Sequence, residues 1–173
     1  MRTIKISPAD PGWPHEFEKI ASMISEYIGD LIIGVEHVGS TSVPGLAAKP
    51  IIDLDVIIED ISVLPKIIER LDSAGYSYEG DLGIAGRESF KRRFNDGMMT
   101  YHLYVCPKDG IGYLEHIAFR DYLRSHPEAV REYEEIKKEL ARVYPHDIDA
   151  YLNGKNEFIE KILAESRHSD LVL

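Results

Sequence analysis

From Ile51 to Ile58 the chain is apolar at every position except Asp53 and Asp55. A short β-branched run of this kind predicts a strand, and so does Leu31 to Val38 before it. Strand side chains at i and i+2 share a face, so Asp53 and Asp55 are expected side by side. Like charges that close repel unless a proton or a cation lies between them. A divalent metal is the natural solution. Further on, Glu88 to Phe94 and Met98 to Cys106 flank Asn95-Asp96-Gly97, which predicts a tight β-hairpin. Tyr76 to Glu79 adds a short strand, and Thr3 to Ser7 reads as an edge strand.

Helical spacing accounts for most of the remainder. Asp10-Pro11-Gly12 forms a turn, and from Phe17 to Ile28 apolar residues recur with a period of 3.6, ending at Gly29. Val63, Leu64, Ile67, Ile68 and Leu71 mark a second helix, closed by Gly75. A segment from Tyr113 to Ser125 mixes apolar and basic positions. Pro127 opens a long helix to about Val143, a short turn follows Pro145, and Asn156 to about Ser166 closes the pattern. The tail from Arg167 is expected to fray. The glycine-rich stretch from Gly80 to Gly86 reads either as a surface loop or as a segment that closes over a ligand.

The turn between the first two strands carries chemistry of its own. Gly39 lets backbone approach a ligand, while Ser40, Thr41 and Ser42 offer hydroxyl and N–H donors to an anion. It is not a Walker A loop, because Gly45 is followed by Leu46 where a Lys is required. Phosphate and metal are thus expected in one cleft. The best phosphate-binding cations are Lys49, Arg120, Arg124 and Lys155, since arginine forks onto phosphate oxygens and lysine acts as a point charge. Lys91 and Arg93 share one face of the hairpin's first strand, and His102 and Tyr104 share one of its second. Either set reaches the cleft only if that face looks inward. Glu36 and His37 lie on opposite faces, so only one of them faces it. His116, His126 and His146 have no metal-ligand spacing and read as surface or core residues.

The net charge of −10 argues against wrapping duplex nucleic acid. The 173 residues make one domain spanning 1–173, and Cys106, the only cysteine, excludes an internal disulfide. No run is long enough for a membrane span and no signal-peptide pattern opens the chain, so a cytoplasmic location is expected.

Gly39-Ser40 followed by Asp53-Leu54-Asp55 resembles the signature of the polymerase-β type nucleotidyltransferase superfamily. The run EHVGSTSVPGLAAKPIID, Glu36 to Asp53, is more narrowly similar to the GrpB family, which is also found fused to dephospho-coenzyme A kinases. Asp10 to Trp13, His102 to Val105, Phe119 to Pro127, Tyr133, Lys137 and the Tyr151, Lys155, Phe158 spacing extend the likeness along about nine-tenths of the chain. The resemblance implies an α+β fold with a mixed sheet of about five strands flanked by helices and followed by C-terminal helices. It also implies metal-dependent transfer of a nucleotidyl group from a nucleoside triphosphate to an unknown small-molecule or protein acceptor. Asp53 and Asp55 would hold Mg2+ or Mn2+. The superfamily's third carboxylate falls on the strand carrying His102, which makes His102 the third catalytic or metal-binding position. A non-catalytic nucleotide or coenzyme-binding module and a metal-dependent phosphohydrolase are the alternatives, and the oligomeric state is left open.

Overall fold

A computed structural model describes residues 3–170. Strands β1 (Gly34–Val38), β2 (Ile52–Ile58), β3 (Tyr76–Gly80), β4 (Glu88–Arg92) and β5 (Tyr101–Pro107) form one mixed sheet in the order β1-β2-β5-β4-β3. Only β2 and β5 run parallel. Alternation on β2 divides the molecule. Ile52, Leu54, Val56 and Ile58 are shut from solvent against helices α1 (Trp13–Ile28) and α2 (Leu64–Ser73), whose Ile20, Ile24, Ile28, Ile67 and Leu71 complete the main core. Asp53 and Asp55 point to the other face, which α3 (Ile111–Ser125) crosses.

Helices α4 (Pro127–Val143) and α6 (Asn156–Asp170), joined through the short α5 (Ile148–Asn153), build a second, smaller core. Tyr133, Phe158 and Ile162 pack there with Leu123 on α3 and with Val43 and Leu46 from the β1–β2 connection. That connection is therefore gripped from both sides. The expected α+β architecture is the one observed.

Local departures have local causes. Thr3 to Ser7 is not a strand: Ser7 makes a single bridge to Ala48, and Ile4 N–H bonds Pro145 O at 2.8 Å. The first sheet strand begins at Gly34, because Gly29–Leu31 forms a turn of 3-10 helix. The hairpin pairing is present, with Phe90 opposite Leu103, but its strands stop at Arg92 and Tyr101. Asp96 draws the connection into a wide loop by accepting from Met98 N–H, Tyr101 Oη and Arg92. Arg93 leaves the ladder to bond Gly75 O through its N–H. At the C-terminus the last helix continues through Asp170 where fraying is expected from Arg167, and the end of that tail, 171–173, lies outside the described residues. Among the described residues no helix is long and apolar enough to cross a membrane.

Candidate functional site

The site grows from one close approach. Gly39, at φ +73° and ψ −176°, turns the chain from β1 into a single turn of 3-10 helix, Ser40–Ser42. That backbone region is essentially restricted to glycine. A Cβ at Gly39 would lie 2.3 Å from Asp53 Oδ2, so the position admits no side chain while Asp53 stays where it is. The turn is braced from within and behind. Ser42 Oγ donates to Gly39 O at 2.5 Å, and Thr41 Oγ1 bonds both His37 Nε2 and Ile51 O. Thr41 and Ser42 thus spend their hydroxyls on the turn, while the hydroxyl of Ser40 bonds the phenol of Tyr133.

Asp53 and Asp55 each meet a histidine. His102 Nδ1 is 2.8 Å from Asp53 Oδ1, in register across the parallel β2–β5 pair. His116 Nδ1, from α3, is 2.7 Å from Asp55 Oδ2. Asp55 is fully buried and its Oδ1 has no hydrogen-bond partner. Burial pushes its carboxyl above the usual range, opposed chiefly by the bond to His116. Tyr104 lies opposite Asp55 on β5, with the Arg87 guanidinium 4.4 Å over its ring. Glu36 shares this face and pairs with Arg120 at 2.8 Å. His37 faces the other way, stacked on Phe17 at 4.7 Å, and burial pulls it down to about 4, which keeps it neutral.

The sequence-predicted cations separate into two groups. Lys49 and Lys155 come together over the ring of Tyr151, at 5.2 and 4.8 Å. Lys137 joins them as a third, 2 % exposed, over Tyr133 at 4.8 Å. Burial, followed by the charge of Lys155, pulls Lys137 down to about 7. Burial and Lys49 pull Lys155 to about 8, against the opposing field of Asp53. Ammonium groups crowded in this way, one buried and two half-buried, favour an anion among them.

The arginines are not gathered there. Arg120 Nη1 donates to His37 O at 2.9 Å, and Arg124 Nε donates to Ser42 O at 2.9 Å, so both clamp the turn from α3. Arg93 is bound to Asp72, Tyr76 O and Ser77, away from the aspartates. Lys91 lies further along the sheet, in a cavity with His102. Reading from the sequence missed His116, Arg87 and the role of Lys137. His116 was legible as the start of an i, i+4, i+8 series with Arg120 and Arg124 on one helix face. Lys137 stood out only as part of the family likeness, four residues after Tyr133, and Arg87 gave no signal.

Among the described residues no three His, Cys, Asp or Glu side chains form a ready-made metal cluster. The donor set nonetheless fits a hard divalent cation. Asp53 and the orphaned Asp55 Oδ1 would offer it oxygen ligands, and Mg2+ commonly takes one or two carboxylates and completes its shell with water and phosphate.

The fold, a mixed sheet in which a Gly-Ser turn lies beside paired aspartates, is of the nucleotidyltransferase-like class. The poly(U) polymerase Cid1 bound to MgATP superposes with a TM-score of 0.54 at 14% identity, covering 79% of this chain and 44% of that one. The GLD-2/RNP-8 complex gives 0.57 at 13% identity over 84% of this chain and 59% of that one. Within that class the chain belongs to the GrpB family, whose model, "GrpB protein", matches residues 3–165. The crystal structure of the conserved protein GrpB from Enterococcus faecalis matches with a TM-score of 0.84 and 36% identity, over 96% of this chain and 99% of that one. Glutamate-rich protein GrpB of Alkalihalophilus pseudofirmus is 39% identical over 88% of this chain and 90% of its own length. The chain is also 35% identical, over 92% of its length, to Bacillus subtilis UPF0157 protein YqkA, of which it spans only 46%.

Proposed function

We propose that this chain transfers a nucleotidyl group from a nucleoside triphosphate to a hydroxyl acceptor, with Mg2+ or Mn2+ held by Asp53 and Asp55. The observation that carries the reading is the buried Asp55 carboxylate, one oxygen unpartnered, on the same face as an Asp53 that Gly39 approaches too closely for any side chain. A buried carboxylate with His116 on one oxygen and nothing on the other is costly, and its retention beside a second one is best explained by a cation. When bound, the ion would neutralise charge on the entering and leaving oxygens.

The chain's own groups would supply the rest. Lys49, Lys137 and Lys155 would take the polyphosphate, with Lys137 and Lys155 regaining full charge as it enters. Ser40 and the turn would position phosphate oxygens. Arg120 and Arg124 would act as clamps on the turn. His102 is half-exposed and held by Asp53 through Nδ1, which leaves Nε2 to accept the acceptor's hydroxyl proton. Bond formation from that oxygen to the α-phosphorus then expels pyrophosphate with the electron pair of the broken P–O bond.

One observation favours a second reading, a nucleotide-binding module without turnover. The β5 residue opposite Asp55 is Tyr104, not a carboxylate. Incubation with each nucleoside triphosphate and Mn2+ or Mg2+, following pyrophosphate release alongside calorimetry, tests both. Release supports the transferase. Binding without release supports the module, and monophosphate or free phosphate formed without an acceptor would point to a hydrolase.

A further inference from the structure

The site face of the sheet continues past His102 into a cavity of about 400 Å³ over β5, β4 and β3. Glu79, Ser89, Lys91, His102 and Tyr104 contribute to its wall. Register explains why these polar groups converge. Ser89 lies opposite Tyr104 and Lys91 opposite Ser77, so Ser89 and Lys91 alternate onto the same face as His102, Asp53 and Asp55. The space suits a small molecule, being within the range of ligand pockets. One end of it is His102, hydrogen-bonded to Asp53.

Its charges are of both signs. Ser89 Oγ donates to Glu79 Oε2 at 3.2 Å and steadies that carboxylate. Among the described residues neither Glu79 nor Lys91 has an ionic partner, whereas Arg92 beside them is committed to Asp96 and stacked 4.5 Å from the centre of the Tyr101 ring. A carboxylate and an ammonium left apart around one volume match a dipolar solute, each end of which gains a charge-assisted hydrogen bond. A polynucleotide acceptor would instead carry phosphates past Glu79 in a chain of net charge −10.

We propose that this cavity is the acceptor subsite, and that the acceptor is a dipolar, hydroxyl-bearing small molecule of about dipeptide size. Its amine meets Glu79, its carboxylate meets Lys91, and its hydroxyl turns toward His102. This rests on the nucleotidyl-transfer reading and names the second substrate of that reaction. The hydroxyl oxygen forms the new bond to the α-phosphorus, its proton passes to His102, and pyrophosphate leaves.

Glycylserine and its N-acetyl, C-amide and doubly blocked forms keep one hydroxyl while removing each charge in turn. With nucleoside triphosphate and Mn2+, pyrophosphate release should fall about threefold for each charge removed, the worth of one ion pair to an exposed group. Glu79→Gln should erase the preference for the free amine, and Lys91→Gln that for the free carboxylate. Backbone amide shifts at Ser89 and Lys91 on adding glycylserine alone report binding without chemistry. Shifts without release from any peptide would keep the subsite and overturn the transfer reading. Equal release from all four peptides, a preference for an RNA oligonucleotide, or the absence of shifts would overturn the acceptor subsite.

Discussion

Leu54 and Asp55 are adjacent on one strand and equally closed to solvent, yet burial acts on them in opposite directions. At Leu54 the sheet meets α1 and α2, and burial of apolar area stabilises the fold. At Asp55 it meets α3, and the same loss of water destabilises a carboxylate that retains an unpartnered oxygen. One face of β2 is thus built for stability. The other gives stability up, which is the usual mark of a site that expects a ligand.

The sharpest way to break this contrast is Asp55→Asn. Pyrophosphate release should fall roughly 10³-fold, the loss of several kcal/mol of charge stabilisation. The metal-free fold should nevertheless melt at a higher temperature than wild type at neutral pH. The sign follows from linkage. A carboxyl whose folded pKa is raised loses stability as pH rises through that pKa, so the gain from Asn is present at pH 7 and has gone by about pH 4, where the unfolded carboxyl is protonated too. Melts at both pH values check it, and a mutant less stable at pH 7 would show that the Asp55–His116 pair holds the fold together.

Leu54→Ala is the mirror experiment. It should cost about 2–5 kcal/mol by chemical denaturation. In the fraction that remains folded, nucleotide affinity should be close to normal. Gly39→Ala joins the two faces' concerns, because the new Cβ meets the Asp53 carboxylate in a backbone region alanine avoids. A loss of about 1–3 kcal/mol is expected, together with weakened Mn2+ binding by calorimetry.

The smallest effect concerns the lysines on the helical side of the cleft. Lys137 and Lys155, depressed to about 7 and about 8, should make the ligand-free protein more stable as pH rises from 7 toward 10. In that window the unfolded chain binds protons that the native one has shed. Inorganic triphosphate should bind less tightly over the same rise, because it requires the charged amines. Lys137→Met should flatten both profiles in thermal melts and calorimetric titrations, and two unchanged profiles would remove Lys137 from the phosphate site.

Legibility followed the range of the interactions. Pairing across the β1–β2 turn is local, and alternation placed Asp53 and Asp55 on one face before any tertiary contact was considered. The hairpin at Asn95 to Gly97 was recognisable, but its wide loop was not, because Asp96 binds Arg92 and Tyr101 through geometry that spacing does not encode. Arg93 read as a cleft cation on strand alternation alone. Its bonds to Asp72 and Tyr76 depend on how α2 packs beside β3.

By itself the sequence determined the sheet's polarity, the helices that cover its apolar face, the glycine turn and the aspartate pair. Each of these is decided by periodicity, or by the φ and ψ values that a residue can adopt. Tertiary structure alone decided which cations face which carboxylates. It brought His116 61 residues along the chain to Asp55, turned Arg120 and Arg124 into clamps, and buried Lys137 90 residues from the Ala47 carbonyl it bonds. Burial and long-range charge create those pairings, and neither exists until the helices dock on the sheet.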